Sequence, residues 1–155
     1  SLTIKPQAMK KIFVSFSLLL TAALSSAFAN SDPDPDQKVL DAFKTEFASA
    51  ENVTWNKQDE YDKATFILAG RRTVAYFNPE GQLEGCAREI SFDQLPLAVM
   101  TAVDRRFAEK DILSVLEVSN SEGTNYKVTV KTKTRKYKVK VDSAGNITEV
   151  SKLTN

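Results

Sequence analysis

The stretch Asn78-Pro79-Glu80-Gly81-Gln82-Leu83 has a counterpart later in the chain, Asp142-Ser143-Ala144-Gly145-Asn146-Ile147. Proline presets φ at the start of a turn and glycine accepts a positive φ, so the first stretch is typical of a tight connection between two strands. Each stretch follows a helical apolar stripe, one ending at Phe47 and the other at Phe107. The chain therefore predicts one small structural unit that occurs twice.

Helix and strand patterns define the predicted fold class. Val39, Phe43 and Phe47 recur at helical spacing within a predicted helix from Gln37 to Ala50. Segments rich in β-branched and aromatic residues then follow, as strands require. We predict an α+β fold of two tandem α-ββββ repeats, with the helices packed on one face of an antiparallel sheet. The order of the strands remains open at this point.

The first part of the chain has the pattern of an export signal. Met9-Lys10-Lys11 precedes an apolar stretch, and Ala27-Phe28-Ala29 supplies the small residues of a cleavage site. The apolar stretch is short for a membrane span. We predict a periplasmic or secreted protein with no transmembrane segment in its mature chain.

The predicted domain organisation follows from these patterns. Residues 1–29 comprise upstream residues and a cleavable signal peptide that starts at Met9, and residues 30–36 form an acidic, proline-rich linker. A single domain occupies 37–155. Its two repeats run from about 37 to 90 and from about 91 to 153.

Composition excludes several chemistries. The chain contains no histidine and a single cysteine, Cys86. Serine–histidine and cysteine–histidine catalysis, histidine metal sites and thiolate zinc sites are therefore excluded. We predict no enzymatic activity, no cofactor and no metal. The formal net charge of +1 favours no particular partner.

One local charge feature is pronounced, because the segment 127–140 carries many basic residues and no acidic one. Period-two alternation within a predicted hairpin sends its lysines to one face and its valines to the other. Two interpretations stay open, namely a solvated edge that discourages aggregation and a binding site for a polyanion or an acidic protein patch. The candidate residues are Lys131, Lys133, Arg135, Lys136, Lys138 and Lys140.

A second candidate surface is aromatic. Tyr76 and Phe77 are adjacent, so in a regular strand their side chains point to opposite faces of the sheet. An aromatic side chain on a water-facing sheet can anchor a protein partner, whereas burial in the core is the alternative. The candidate residues are Tyr61, Tyr76 and Phe77.

Taken together, these residues resemble a known family. The helix ending at Phe47, the Val53-x-Trp55 pair, the 76–83 stretch and Leu95-Pro96-x-x-Val99 resemble the PepSY-like domains of exported bacterial proteins, which are similar to beta-lactamase inhibitory protein (BLIP). The resemblance covers nearly all of 37–153. It implies an exported, non-catalytic binding or inhibitory role, in which a partner is held by a sheet face and hairpin loops. The chain lacks the disulfides of that inhibitor, so its target is not carried over.

These observations lead to a functional prediction with one alternative. We predict a protein–protein interaction or inhibitory module that acts through its sheet face and hairpins on an unidentified envelope or extracellular protein. The alternative is a binder of envelope polyanions, such as an anionic polymer, through the basic 127–140 hairpin. Nucleic acid is excluded as a partner, because the compartment is wrong and no aromatic stacking motif is present.

Overall fold

The computed structural model describes residues 34–154, so the predicted signal peptide and residues 30–33 of the predicted linker lie outside the described residues. Within that range the chain forms two ten-residue α-helices, one short 3₁₀-helix and eight strands. The helices are α1 (Gln37–Glu46), the 3₁₀-helix (Phe92–Gln94) and α2 (Leu97–Arg106). The strands are β1 (Glu51–Gln58), β2 (Tyr61–Leu68), β3 (Arg71–Phe77), β4 (Leu83–Glu89), β5 (Asp111–Asn120), β6 (Gly123–Lys131), β7 (Lys136–Asp142) and β8 (Ile147–Leu153).

All eight strands belong to one antiparallel sheet and pair in chain order from β1 to β8. Strand β4 pairs with β5 from Gly85 opposite Asn120 to Glu89 opposite Leu116. The sheet is therefore continuous across the boundary that we predicted between two repeats.

The predicted fold class is wrong on this point. The chain is not an α+β fold of two tandem α-ββββ repeats; it is a predominantly β structure built on a single eight-stranded sheet with two short helices. Local patterns identify individual strands, but they carry no signal for pairing between segments separated by a helix. That pairing removes two sheet edges whose backbone groups would otherwise lack partners.

Helix α1 covers the first half of the sheet with an aromatic core. Phe43 is its centre, with ring centroids 5.1 Å from Trp55, 5.0 Å from Phe66 and 6.1 Å from Phe77. These edge-on contacts suit the quadrupoles of aromatic rings. The helix ends at Glu46, earlier than predicted, and Phe47 caps it by donating its backbone N–H to Phe43.

Helix α2 covers the second half of the sheet with an aliphatic core. Val99 and Val103 are fully buried and pack with valines of β5, β6 and β7. Alternation along the paired strands places this core on the same side of the sheet as the aromatic core. We call this side the helix face and the opposite side the open face.

The two glycine hairpins fasten these helices to the sheet. A Cβ on Gly81 would lie 3.0 Å from the carbonyl oxygen of Lys38, and a Cβ on Gly145 would lie 2.6 Å from that of Ala98. Both carbonyls belong to the first turn of a helix. Each hairpin therefore approaches a helix backbone more closely than a side chain would allow, and both glycines also have a positive φ.

In the part of the chain that the structure describes, none of the helices has the length and apolar composition needed to cross a membrane.

Candidate functional site

The open face is not covered by either described helix, yet its centre is buried. Val74 and Tyr76 are 0% exposed and Ala87 is 2% exposed, and together with Val118 they form a compact group. Because no described helix covers this face, the burial of these residues must come from the side chains around them. Tyr76 has Gly85 opposite it on β4, which leaves room for the tyrosine ring. Burial raises the pKa of Tyr76 to about 12.

Two side chains at the rim of this group remain partly accessible. Tyr61 and Leu116 pack against it and are only half-buried. We call these residues together the apolar cluster; its members are Tyr61, Val74, Tyr76, Ala87, Leu116 and Val118. Its two accessible members offer a partner a small apolar contact area above a closely packed base.

Lysines occupy the adjoining part of the open face. Across β6 and β7, Lys127 lies opposite Lys140 and Lys131 lies opposite Lys136, and Lys138 lies between these pairs. Alternation puts all of them on the same side of the sheet as Leu116, which lies opposite Lys127 on β5. We call this group the lysine cluster; its members are Lys127, Lys131, Lys136, Lys138 and Lys140.

An acidic residue, Glu149 of β8, lies opposite Lys140 at the border of this cluster. The ion pairs found among residues 34–154 involve Lys57, Arg88, Lys110 and Lys133, and none includes a member of the lysine cluster. Lys127 is only 7% exposed. Its pKa is lowered first by burial and then by the charges of Lys140 and Lys138, whereas Glu149 acts in the opposite direction.

The structure brings the two predicted surfaces together on one face. Tyr61 borders the apolar cluster on the side towards β1, and Lys131, Lys136, Lys138 and Lys140 extend the face towards β8. The sequence alone does not show that these two sets adjoin, because no local pattern indicates that β4 pairs with β5.

The remaining candidate residues lie elsewhere. Phe77 is fully buried in the aromatic core beneath α1, and Tyr76 is fully buried within the apolar cluster. Lys133 forms an exposed ion pair with Glu109 at 2.6 Å. Arg135 lies in the exposed turn between β6 and β7, where its backbone carbonyl accepts hydrogen bonds from Thr132.

Five members of the two clusters were not among the predicted site residues, namely Val74, Ala87, Leu116, Val118 and Lys127. Lys127 has the same period-two position as Lys131, so the alternation could have identified it. Leu116 and Val118 alternate with Glu117 in β5 in the same way. Only the pairing of β5 with β4 places these two residues beside Ala87 in the apolar cluster.

An apolar cavity lies at the other end of the molecule. It has a volume of about 370 Å³ and is bordered by Phe47 of the α1 cap and by Val53 and Trp55 of β1. Lys44 lies at its edge. Across residues 34–154, no group of three or more cysteine, aspartate or glutamate side chains is arranged to hold a metal ion.

Comparison with solved structures identifies the fold as BLIP-like. A BLIP-like protein of Bacteroides fragilis superposes with a TM-score of 0.70 at 24% identity, over 79% of this chain and 89% of that one. A DUF2874 family protein of Bacteroides uniformis gives 0.71 at 21% identity, over 77% and 90%. A protein of Bacteroides eggerthii described as periplasmic gives 0.71 at 20% identity, over 77% and 89%.

These likenesses show the fold alone, at identities between 20% and 24%. The predicted resemblance to BLIP is confirmed at that level, while PepSY-like domains are not specifically indicated. The predicted periplasmic or secreted location agrees with the description of the Bacteroides eggerthii protein. No family model matches the chain, and no curated protein matches it.

Proposed function

We propose that this chain is an exported, non-catalytic protein-binding module that acts through the open face of its sheet. One observation carries the proposal: the accessible rim of the apolar cluster and the unpaired lysine cluster share one face that no described helix covers. Apolar and aromatic anchors within a polar surround are typical of protein interfaces. The likeness to a BLIP-like protein supports a binding role, and our proposal includes inhibition of an envelope enzyme as one form of that role.

Export belongs to the same proposal. Cleavage after Ala29 would release residues 30–155 as one domain into the periplasm or the medium, in the manner of PepSY-like domains. The description of the Bacteroides eggerthii neighbour as periplasmic supports this location. Mass spectrometry of the protein recovered from the envelope fraction, showing Asn30 as the first residue, tests it.

The alternative function is binding of an envelope polyanion through the 127–140 hairpin. The observation that favours it is the set of like charges at Lys127, Lys138 and Lys140, because opposed like charges destabilise a sheet unless something is gained. Binding of this kind falls steeply as ionic strength rises, whereas an interface with an apolar centre resists salt.

A pull-down from an envelope extract at low and at high salt tests the proposal. The bait is the exported protein, compared with the double variant Tyr61→Ala and Leu116→Ala. A matched control removes exposed apolar surface elsewhere, through Leu97→Ala and Leu113→Ala, which are 75% and 48% exposed in the native protein. We expect one protein to be retained at high salt by the native chain and by the control, and to be lost with the double variant. Retention by the double variant would contradict the proposal.

A further inference from the structure

The open face contains a row of side chains in which Leu116, Lys127 and Lys140 lie between Glu89 of β4 and Glu149 of β8. Leu116 of β5 lies opposite Lys127 of β6, which lies opposite Lys140 of β7. Side chains that are directly opposite in an antiparallel pair are separated by about 5 Å at Cβ. An apolar contact and two ammonium groups are therefore within reach of one short polypeptide segment.

The middle residue of this row has an unusual environment. Lys127 is 7% exposed and has Lys140 opposite it on β7, with Lys138 on one diagonal and Asp142 on the other. Glu149 lies beyond Lys140 on β8. No ion pair to Lys127 occurs among residues 34–154. A lysine can bury its long, flexible stem against neighbouring side chains while its ammonium group stays at the surface. Lys127 follows this pattern, because no buried side-chain nitrogen or oxygen among residues 34–154 lacks a hydrogen-bond partner, and its ammonium group therefore reaches the surface of the open face.

We infer that Lys127, with Lys138 and Lys140, forms a carboxylate-binding site for an acidic segment of a protein partner, and that Leu116 and the rim of the apolar cluster seat an apolar residue of the same segment. This inference rests on the proposed function, because both use the open face. It adds the chemical class of the partner surface.

The apolar neighbour decides between two classes of anion. A sulfated or phosphorylated polymer presents charge without apolar side chains, so it would use the lysines and leave Leu116 and Tyr61 without a role. An acidic polypeptide supplies both kinds of group. A carboxylate that reaches a partly desolvated lysine also gains more than it would from an exposed lysine, because screening is weaker there.

The test uses defined peptides as probes. We would follow the backbone amide signals of the exported protein by nuclear magnetic resonance during titration with a short peptide in which two leucines are flanked by glutamates. One comparison peptide has glutamine in place of glutamate, and another has serine in place of leucine. Inorganic polyphosphate and vesicles of anionic phospholipid complete the set.

We expect the glutamate–leucine peptide to shift the signals of Leu116, Lys127 and Lys140, and to bind at least tenfold more tightly than the glutamine peptide and several-fold more tightly than the serine peptide. Lys127→Met should weaken binding about tenfold while the remaining spectrum shows the native fold. Lys152→Met, a matched change in an exposed lysine of β8, should leave binding unchanged. Equal binding of the glutamine peptide, shifts confined to other surfaces, or tighter binding of polyphosphate or vesicles at the same residues would each overturn the inference.

The two proposals fail in different ways. If the Tyr61→Ala and Leu116→Ala variant loses the protein captured from the extract whereas Lys127→Met keeps it, the open face binds a protein and the carboxylate site does not exist. If neither variant affects capture, the open face is not the binding surface, and both proposals are wrong.

Discussion

Lys127 and Lys140 lie directly opposite each other on β6 and β7, and the buried member of this pair has no anionic partner among the described ion pairs of residues 34–154. Two like charges in this relation are unfavourable in the isolated domain. An anionic group of a partner would offset this repulsion. Removing the charge of Lys127 should therefore stabilise the free protein and weaken the binding of a partner.

Replacing Lys127 with methionine should stabilise the protein. Burial, Lys140 and Lys138 lower the pKa of Lys127 in the folded state. A lysine whose pKa is lower in the folded protein than in the unfolded chain destabilises the fold. The loss of stability is complete below the pKa of the folded state, and it disappears as the pH rises to the pKa of the unfolded state, about 10.4 for lysine. The urea midpoint of Lys127→Met should exceed that of the native protein at pH 7, and the difference should shrink in alkaline solution. Lys131→Met, on the same face but exposed, is the control and should change little. A variant less stable than the native protein at pH 7 would show that Lys127 is a structural residue.

Alanine at Gly145 should destabilise the protein more than alanine at Gly81. The new Cβ would meet the backbone of α2 at 2.6 Å, against 3.0 Å from the backbone of α1 at Gly81. Gly70→Ala is a matched control, because Gly70 also has a positive φ but no atom lies within 4 Å of the position that the new methyl group would take. We expect losses of about 1 kcal/mol at Gly70 from backbone strain alone, and of about 2 kcal/mol or more at Gly145. Urea unfolding measures all three, and equal losses would mean that the hairpins do not hold the helices.

Acid should weaken the second hairpin through Asp142. Its carboxylate accepts hydrogen bonds from the side chain of Asn146 and from the backbone N–H groups of Asn146 and Ala144, all at 2.9 Å. These bonds, led by that of the Asn146 side chain, lower the pKa of Asp142. The stability that these hydrogen bonds contribute is fully present when the pH is above the pKa of Asp142 in the unfolded chain. It is lost as the pH falls through the pKa of Asp142 in the folded protein.

Asp142→Asn should therefore reduce the loss of stability between pH 7 and pH 3, measured as the shift in thermal midpoint. The first hairpin shows that an amide is compatible with the turn, because Asn78 accepts bonds from the backbone of Glu80 and Gln82. Asp93→Asn, an exposed aspartate in the 3₁₀-helix, is the control. Equal changes in acid sensitivity for Asp142→Asn and Asp93→Asn would show that the hydrogen bonds of Asp142 do not stabilise the hairpin.

The continuous sheet predicts a single cooperative unfolding transition. Trp55 is the one tryptophan of the chain and belongs to the aromatic core under α1, whereas Val139 is fully buried under α2. Val139→Ala should cost about 1–3 kcal/mol. In this variant, the unfolding midpoint measured by Trp55 fluorescence should fall as far below the native midpoint as the one measured by circular dichroism. A fluorescence midpoint that stays at the native value would show that the two halves unfold independently.

Local features of the fold were predictable from the sequence, whereas long-range pairing was not. Adjacent Tyr76 and Phe77 do point to opposite faces, because a regular strand requires it. The complete burial of Tyr76 was not predictable, since it depends on Gly85 from a neighbouring strand and on Val118 from beyond α2.

The candidate site shows the same division. Alternation placed Lys131, Lys136, Lys138 and Lys140 on one face, as the structure has them. The proximity of these lysines to the apolar cluster depends on the pairing of β4 with β5, which no local pattern encodes. Phe77 was a candidate because one of two adjacent aromatic residues must face away from the helices, and Tyr76 is the one that does.

Lysine footprinting tests the central claim, binding of a protein through the open face, most directly. The exported protein is acetylated with a low dose of reagent, alone and in the complex captured from the envelope extract, and each lysine is quantified by mass spectrometry. We predict that Lys131, Lys136, Lys138 and Lys140 are protected in the complex, whereas Lys44 beside the cavity and Lys133 in its ion pair with Glu109 react as in the free protein. Protection of Lys44 with unchanged reactivity of the open-face lysines would contradict the claim and place the partner at the cavity between α1 and β1.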